Sequence, residues 1–352
     1  MKKMMIYPYS NAYEPYALHS KLMENIKVAS LVASSGSGIV GKSIAIDDGK
    51  LVVSSDFDEE LGKCDVIWFV EDEKYELSND VVREHLISAV KSCKEIVFTR
   101  TKSKEGKQME MLIPDKQNIT PKKIAAVKDN LIYKQCYRID IPVLIVYGTE
   151  KETGKLGVQL ALREELIEKG YKVSSISSRL DSELYGLHPI PSFMFDRMNS
   201  ETEKIQKYNH YVKQIELIEH PDIIIIGIPG GILPYDEIDH NEYGILAYEI
   251  SYAVPCDAAI MCLPYNSDFT GDFSDLGTAV EQIFRFQTIG CHLASCVPDL
   301  QRSIENKERH LVSLDSDFID LKISEYGSNN VFNFLKKTDV NKAAECIIDF
   351  LS

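Results

Sequence analysis

Short β-branched and aromatic runs alternate with longer amphipathic stretches along the chain, and that alternation predicts parallel strands crossed by helices. In the first part, Met4 to Tyr9 has the pattern of a strand, residues 13 to 25 that of a helix, and Val28 to Ala33 that of a second strand. Cys64 to Val70 (CDVIWFV) is almost wholly apolar, as expected of a strand buried on both faces. Between these strands, IAIDDGKLVV has the turn chemistry of a hairpin. A helix over 79–92, opened by an Asn cap, leads into a strand from Glu95 to Phe98.

From Thr101 to Arg138 the chain turns basic and polar, a composition that suits a solvated face. Thr120-Pro121 offers a cap and first-turn proline for a helix through about Lys134. The domain junction is placed here, with residues 1–138 as a Rossmann-like α/β domain and 139–352 as a second domain. The alternation then restarts. Strands are predicted at Ile141 to Tyr147, Val173 to Ser177, Asp222 to Ile228, Ala258 to Leu263 and His292 to Val297. Helices are predicted at 154–169, 201–218, 241–253, 275–288 and 341–351. That count suits a doubly wound, mostly parallel sheet whose ligand crevice lies at the carboxyl ends of its strands.

Composition narrows the function classes. A chain of 352 residues with 44% hydrophobic and 26% charged residues is that of a folded protein of about two domains. Its net charge of −15 opposes nucleic-acid and anionic-membrane binding. The most apolar run, Ile223 to Ile232, is broken by Gly227 and Pro229 and is far shorter than the ~20 residues of a membrane helix. The opening MKKMMIYP lacks the apolar core of a signal peptide, so a cytoplasmic location is expected. Eight scattered cysteines are expected to be reduced thiols. Cys256, Cys262, Cys291, His292 and Cys296 offer soft ligands without any C-x-x-C pair, and no metal site is assigned to them. Tyr7, Tyr9, Tyr13 and Tyr16 are expected to pack at the end of the first sheet.

Two glycine-lysine strings carry candidate chemistry. Residues 36–43, GSGIVGKS, match G-x-x-x-x-G-K-[ST] at every position. A phosphate-binding loop, however, requires a helix after it, whose N-terminal amides and dipole hold the anion. Ser43 runs instead into the hairpin string, so this match is taken as a glycine-rich loop. The second string, Gly148-Thr149-Glu150-Lys151-Glu152-Thr153-Gly154-Lys155-Leu156, has one residue too many between its glycines and Leu where a hydroxyl belongs. Its context is right, with the apolar strand IPVLIVY before it and the amphipathic GKLGVQLALREELIEKG after it.

The GT-x-x-x-x-GK form resembles the loop of dethiobiotin synthetase and the related cobyrinate amidating enzymes. In that family a Thr or Ser follows the Lys, and a strand ending in Glu-Gly-x-Gly-Gly carries an acid linked to Mg²⁺. The matching stretch here, IIIIGIPGG, retains Gly230 and Gly231 but has Gly227 at the acid's place. The order of a Rossmann-like half before a P-loop half also resembles P-loop proteins that include D-glutamate N-acetyltransferase. A similarity over most of the chain is to clostridial peptide maturation system proteins, found beside radical-SAM enzymes and Cys-rich precursor peptides. It is carried by MMIYPYSNAYEPYA, by SSGSGIVGKS before CDVIWFVED, and by SISSRLDSELYGLHPIPSFM. That resemblance implies a biosynthetic setting with a precursor peptide or a radical-SAM enzyme as partner.

The expectation is therefore an α/β protein with an N-terminal Rossmann-like domain and a doubly wound P-loop NTPase-like domain. ATP or another nucleotide would be held by Gly148, Thr149, Lys151, Thr153, Gly154 and Lys155, with Arg179, Gly230 and Gly231 nearby. Mg²⁺ would lack its usual ligands unless Asp181 or Glu183 supplied one. Lys155, Asp181 and His188 are the candidate catalytic residues, and Tyr235, Asp236, Asp239 and His240 form a polar loop at the expected crevice rim. The leading reading is an accessory that binds a phosphorylated ligand through a degenerate loop. The alternatives are an ATP-dependent ligase or acyl-transferring enzyme, and a scaffold with a fossil loop.

Overall fold

The computed structural model describes all residues except 47–48, 72–76, 102, 121–134, 180, 235–239, 308 and 328–329. The helix expected over about 120–134 lies almost wholly outside the described residues. The chain divides into two compact units, one formed by Met1–Lys123 with Glu183–Gly186 and the other by Ile124–Ser182 with Leu187–Ser352.

In the first unit, β1 (Lys2–Tyr7), β2 (Ile26–Val32), β3 (Ser43–Ile46), β4 (Gly49–Ser54), β5 (Val66–Phe69) and β6 (Glu95–Phe98) form one sheet in the order β3-β4-β2-β1-β5-β6. Only the β3–β4 pair is antiparallel, so the rest is the Rossmann-like arrangement that the alternation predicts. Helices α1 (Glu14–Leu18), α2 (Phe57–Lys63), α3 (Asn79–Lys91) and α4 (Lys104–Glu110) connect or flank the strands. The helix expected over 13–25 is only a turn and a half of α-helix between short 3₁₀ segments. One face of the sheet packs Met5, Ile67 and Phe69 against Phe57, Leu61, Val82 and Leu86. On the other, Trp68 is met edge-on by Tyr13 and Tyr16, and the Tyr185 hydroxyl donates to the Tyr16 carbonyl at 2.7 Å. The tyrosines of the opening segment thus form packed core.

The second unit holds a seven-stranded, all-parallel sheet. Its strands are β7 (Val143–Gly148), β8 (Val173–Ser177), β9 (His188–Pro189), β10 (Ile223–Gly227), β11 (Ala258–Pro264), β12 (Thr288–Ala294) and β15 (Val331–Phe332), in the order β15-β12-β11-β7-β10-β8-β9. A separate antiparallel pair, β13 (Cys296–Pro298) and β14 (Leu311–Ser313), comes after β12. The helices are α5 (Lys155–Glu168), α6 (Glu201–Glu219), α7 (Ile245–Ala253), α8 (Ser274–Phe284), α9 (Leu300–Asn306), α10 (Ser316–Tyr326) and α11 (Lys337–Leu351).

Strand alternation sorts the core into two layers. Val143, Ile145 and Tyr147 face α6, α7 and α8, where Tyr208, Val212, Ile250 and Phe284 meet them. Leu144 and Val146 face α5 and α11, against Val158, Leu162, Ala343 and Ile347. The doubly wound α/β architecture is therefore the observed one, and β7 is its central strand. Because β7 lies between β10 and β11, the loop after it opens at the carboxyl edge of the sheet, where such folds bind ligands. Among the described residues no helix is long and apolar enough to cross a membrane.

Leu162 is fully buried on α5 whereas Ile167 on the same helix is exposed. Leu162→Ala is expected to lower stability by about 2–5 kcal/mol, and Ile167→Ala by about 0.5 kcal/mol or less, in urea denaturation followed by circular dichroism.

Candidate functional site

The turn from β7 into α5 is built around one buried ammonium. Lys155, the first residue of α5, is 7% exposed, and its Nζ donates to the Glu150 carbonyl at 2.9 Å. Thr153 Oγ1 donates to the same carbonyl at 3.2 Å. Burial brings the Lys155 pKa down from 10.5 to about 8, against the opposing pull of nearby Cys262, Glu152, Cys296 and Glu150.

The glycines explain how the turn closes. A Cβ on Gly148 would collide with Thr153 Oγ1 and lie 2.8 Å from the Glu150 carbonyl oxygen and 2.9 Å from Lys155 Nζ. Gly154 caps α5 in the left-handed region at φ +77°, and its Cβ would lie 2.9 Å from His292 Nε2. Burial lowers the His292 pKa to about 4, so the ring beside the helix start is neutral at physiological pH. Above it, Thr149 N–H donates to the Cys262 carbonyl at 3.2 Å, which ties the loop to β11. Thr149 O in turn accepts from Asn241 Nδ2 at 3.2 Å, and the same amide donates to Leu233 O at 2.6 Å. Asn241 also packs against the α-carbon of Gly231, leaving no room for a side chain there. Gly230 is open, with φ +71°. Lys151 and Glu152 are exposed on the loop's outer side.

The remaining candidates sit farther from this turn. Arg179 donates to both carboxylate oxygens of Asp181, at 2.9 and 2.6 Å, just past β8, and β10 separates β8 from β7. Glu183 falls in the four residues that cluster with the first unit. His188 is buried, with Nε2 at 2.9 Å from Glu219 Oε1; Glu219 also accepts from Ser174. Burial alone would raise the Glu219 pKa, but these two hydrogen bonds and the charge of Arg163 hold it below its usual value. His188 thus joins β9 to the end of α6. His240 stacks on Tyr243, at 5.1 Å between ring centroids, while Tyr235, Asp236 and Asp239 lie outside the described residues.

A protein-held Mg²⁺ does not fit these residues. Leu156, at the hydroxyl's place, is a buried aliphatic side chain. Gly227, at the acid's place, is covered by Gln159, whose side-chain amide any Cβ would strike. Gln159 Nε2 donates to Ile176 O at 2.9 Å and its Oε1 accepts from Ser178 N–H at 3.4 Å, joining α5 to β8. Among the described residues no group of three or more His, Cys, Asp or Glu could hold a metal ion. Cys262 and Cys296 lie near the loop, with thiols that burial pushes up to about 12.

The first-unit string ends differently. Lys42 makes a 2.6 Å ion pair with Glu14 and donates to Asn11 at 3.1 Å, and Ser43 opens a strand, so the chain does not run from those glycines into a helix.

Sequence reasoning missed Asn241, Gln159 and Arg309. The last donates from Nε to Glu150 Oε2 at 2.8 Å across 159 residues. Gln159 alone carried a signal, as a polar residue on the apolar face of α5.

Gly154→Ala is expected to lower the melting temperature and to weaken any anion bound at the α5 start at least tenfold. Gly36→Ala, where a Cβ meets nothing within 4 Å, should change neither. Thermal melts and calorimetric titration with inorganic triphosphate check both.

No family model matches the sequence, and no curated protein does. Among solved structures, the chain is similar to a DUF1611 family protein from Anabaena variabilis, at 12% identity and a TM-score of 0.57, over 99% of this chain and 100% of that one. It is also similar to the MinD cell division protein of Aquifex aeolicus, at 14% identity and a TM-score of 0.35, over 59% of this chain and 97% of that one. A putative plasmid partition protein from Borrelia burgdorferi, bound to AMPPNP, matches at 15% identity and a TM-score of 0.33, over 60% of this chain and 99% of that one. What the chain shares with the first of these, end to end, is its α/β fold.

Proposed function

We propose that the second unit binds the phosphates of a nucleotide or another phosphorylated ligand at residues 148–156, and that it does so as a sensor without turning the ligand over. The observation that carries this reading is the buried Lys155 ammonium at the start of a 14-residue helix, at the carboxyl end of the central parallel strand. There the helix N-terminal amides, the dipole and the ammonium all favour an anion. The case against turnover is the chemistry of Leu156 and Gly227, which removes the two side chains that would steady Mg²⁺ on a transferring phosphate. By the resemblance to peptide maturation systems, the protein serves as an accessory to a ribosomally made peptide or its radical-SAM enzyme, with ligand binding as the signal.

Calorimetric titration with ATP, GTP and acetyl-CoA, with and without Mg²⁺, tests the reading. Saturable binding is expected, weakened about 10- to 150-fold in Lys155→Ala, which removes a charged hydrogen-bond donor worth about 1.5–3 kcal/mol. Binding unaltered by Mg²⁺, with ATP recovered intact, fits a sensor; release of phosphate would favour the ligase reading. No binding by the folded protein would leave the scaffold.

The direction of the Lys155 shift adds a pH signature. The charged form binds, and the unliganded lysine loses its proton near pH 8. Affinity should fall between pH 8 and 10 by up to tenfold per unit. Lys155→Arg should flatten that profile, because a guanidinium stays charged throughout.

A further inference from the structure

Glu150 is an unusual residue for a phosphate loop, since its carboxylate has the ligand's own sign. It is nevertheless buried, at 5% side-chain exposure, and its partner is Arg309, at 8%. Arg309 Nε donates to Glu150 Oε2 at 2.8 Å, and Nη2 lies 2.8 Å from the same oxygen. The guanidinium is delivered by a short excursion from the sheet. β13 leads to α9, capped by Asp299, and the chain returns through Arg309 to β14, which pairs with β13 from Pro298↔Leu311 to Cys296↔Ser313. Asp299 N–H donates to His310 O at 2.9 Å, and His310 N–H to Ser303 Oγ at 2.9 Å, so the residue after Arg309 is fixed at the base of this arm. Cys296 on β13 has Glu150, Glu152, Lys155 and Arg309 as its charged neighbours, which sets the arm against the loop.

Both ends of Glu150 are therefore engaged by cations, its carbonyl by Lys155 and its carboxylate by Arg309. An arriving phosphate offers each cation a more highly charged acceptor, and a guanidinium suits phosphate oxygens through paired N–H groups. A buried ion pair is held against a large desolvation cost, so exchange of one anion for another at Arg309 is less costly than separation of the pair into the protein interior.

We propose that Glu150 is an internal competitor for the phosphate loop. A polyphosphate ligand displaces the Glu150 carbonyl from Lys155 and takes Arg309 from the Glu150 carboxylate, so that Arg309 becomes the second cation of the anion site. This rests on the phosphate-binding reading above and extends it to a residue outside the loop.

The test is titration of the full chain with inorganic triphosphate, comparing wild type, Lys155→Ala, Glu150→Gln, Arg309→Ala, Arg309→Lys and the Glu150→Gln/Arg309→Ala pair. Glu150→Gln keeps shape and carbonyl but gives up the charge, and should bind about fivefold tighter or more, equivalent to about 1 kcal/mol. Arg309→Ala should bind at least tenfold more weakly, and the double variant should stay weaker than Glu150→Gln alone, because the ligand itself has lost a partner. Should Arg309→Ala fail to fold, Arg309→Lys, with an unchanged melting curve, is expected to bind at least threefold more weakly. Glu150→Gln binding no tighter than wild type, or an Arg309 variant binding equally well, while Lys155→Ala loses binding, would overturn this proposal alone. If no variant bound triphosphate, Glu150→Gln included, the phosphate-binding reading would fall with it. Binding by Glu150→Gln where wild type shows none would support the competitor directly.

Discussion

Keeping a lysine charged inside a parallel α/β sheet is the constraint around which the second unit is arranged. An ammonium removed from water needs oxygen acceptors and must avoid other cations. The chain answers by bending the loop until the Glu150 carbonyl meets Lys155, a bend that leaves no space for a side chain on Gly148. The surrounding titratable groups conform to the same need. His292 is held neutral by burial, so it adds no competing positive charge. The one carboxylate drawn into the loop, Glu150, is matched by Arg309.

The two units show how little a motif says without its surroundings. Both contain glycines with a lysine after them, downstream of a buried strand. In the first, the chain goes on into β3 and pairs back with β4, and Lys42 is held by Glu14. In the second, it goes on into α5, and the lysine sits at the positive end of a helix. The better match to the consensus has the poorer geometry, because an anion is held by aligned amides and a dipole.

Much of this was legible in the chain. The apolar strand IPVLIVY and the amphipathic run after it marked β7 and α5, and the β-branched string after Ser43 marked the hairpin. These signals are local: a period of two or of 3.6, a turn, a cap. What the chain did not display were contacts between residues far apart in sequence. Asn241 and Arg309 reach the loop from 92 and 159 residues away, and each resembles any other polar loop residue. The short elements β9, β13, β14 and β15 went unread for a related reason, since two or three residues carry no periodicity. The expected strand from His292 to Val297 likewise begins earlier, at Thr288, and ends at Ala294 before β13.

Gln159 has a consequence for how this site could change. Its amide joins α5 to β8 in the volume next to the Gly227 α-carbon. An acidic side chain at position 227 would meet that amide, and moving the amide aside would give up its bonds to the Ile176 carbonyl and the Ser178 N–H. The two positions are mutually locked. A change at 227 therefore has to be matched by one at 159, so whether this site can take an acid is decided by the packing between α5, β8 and β10.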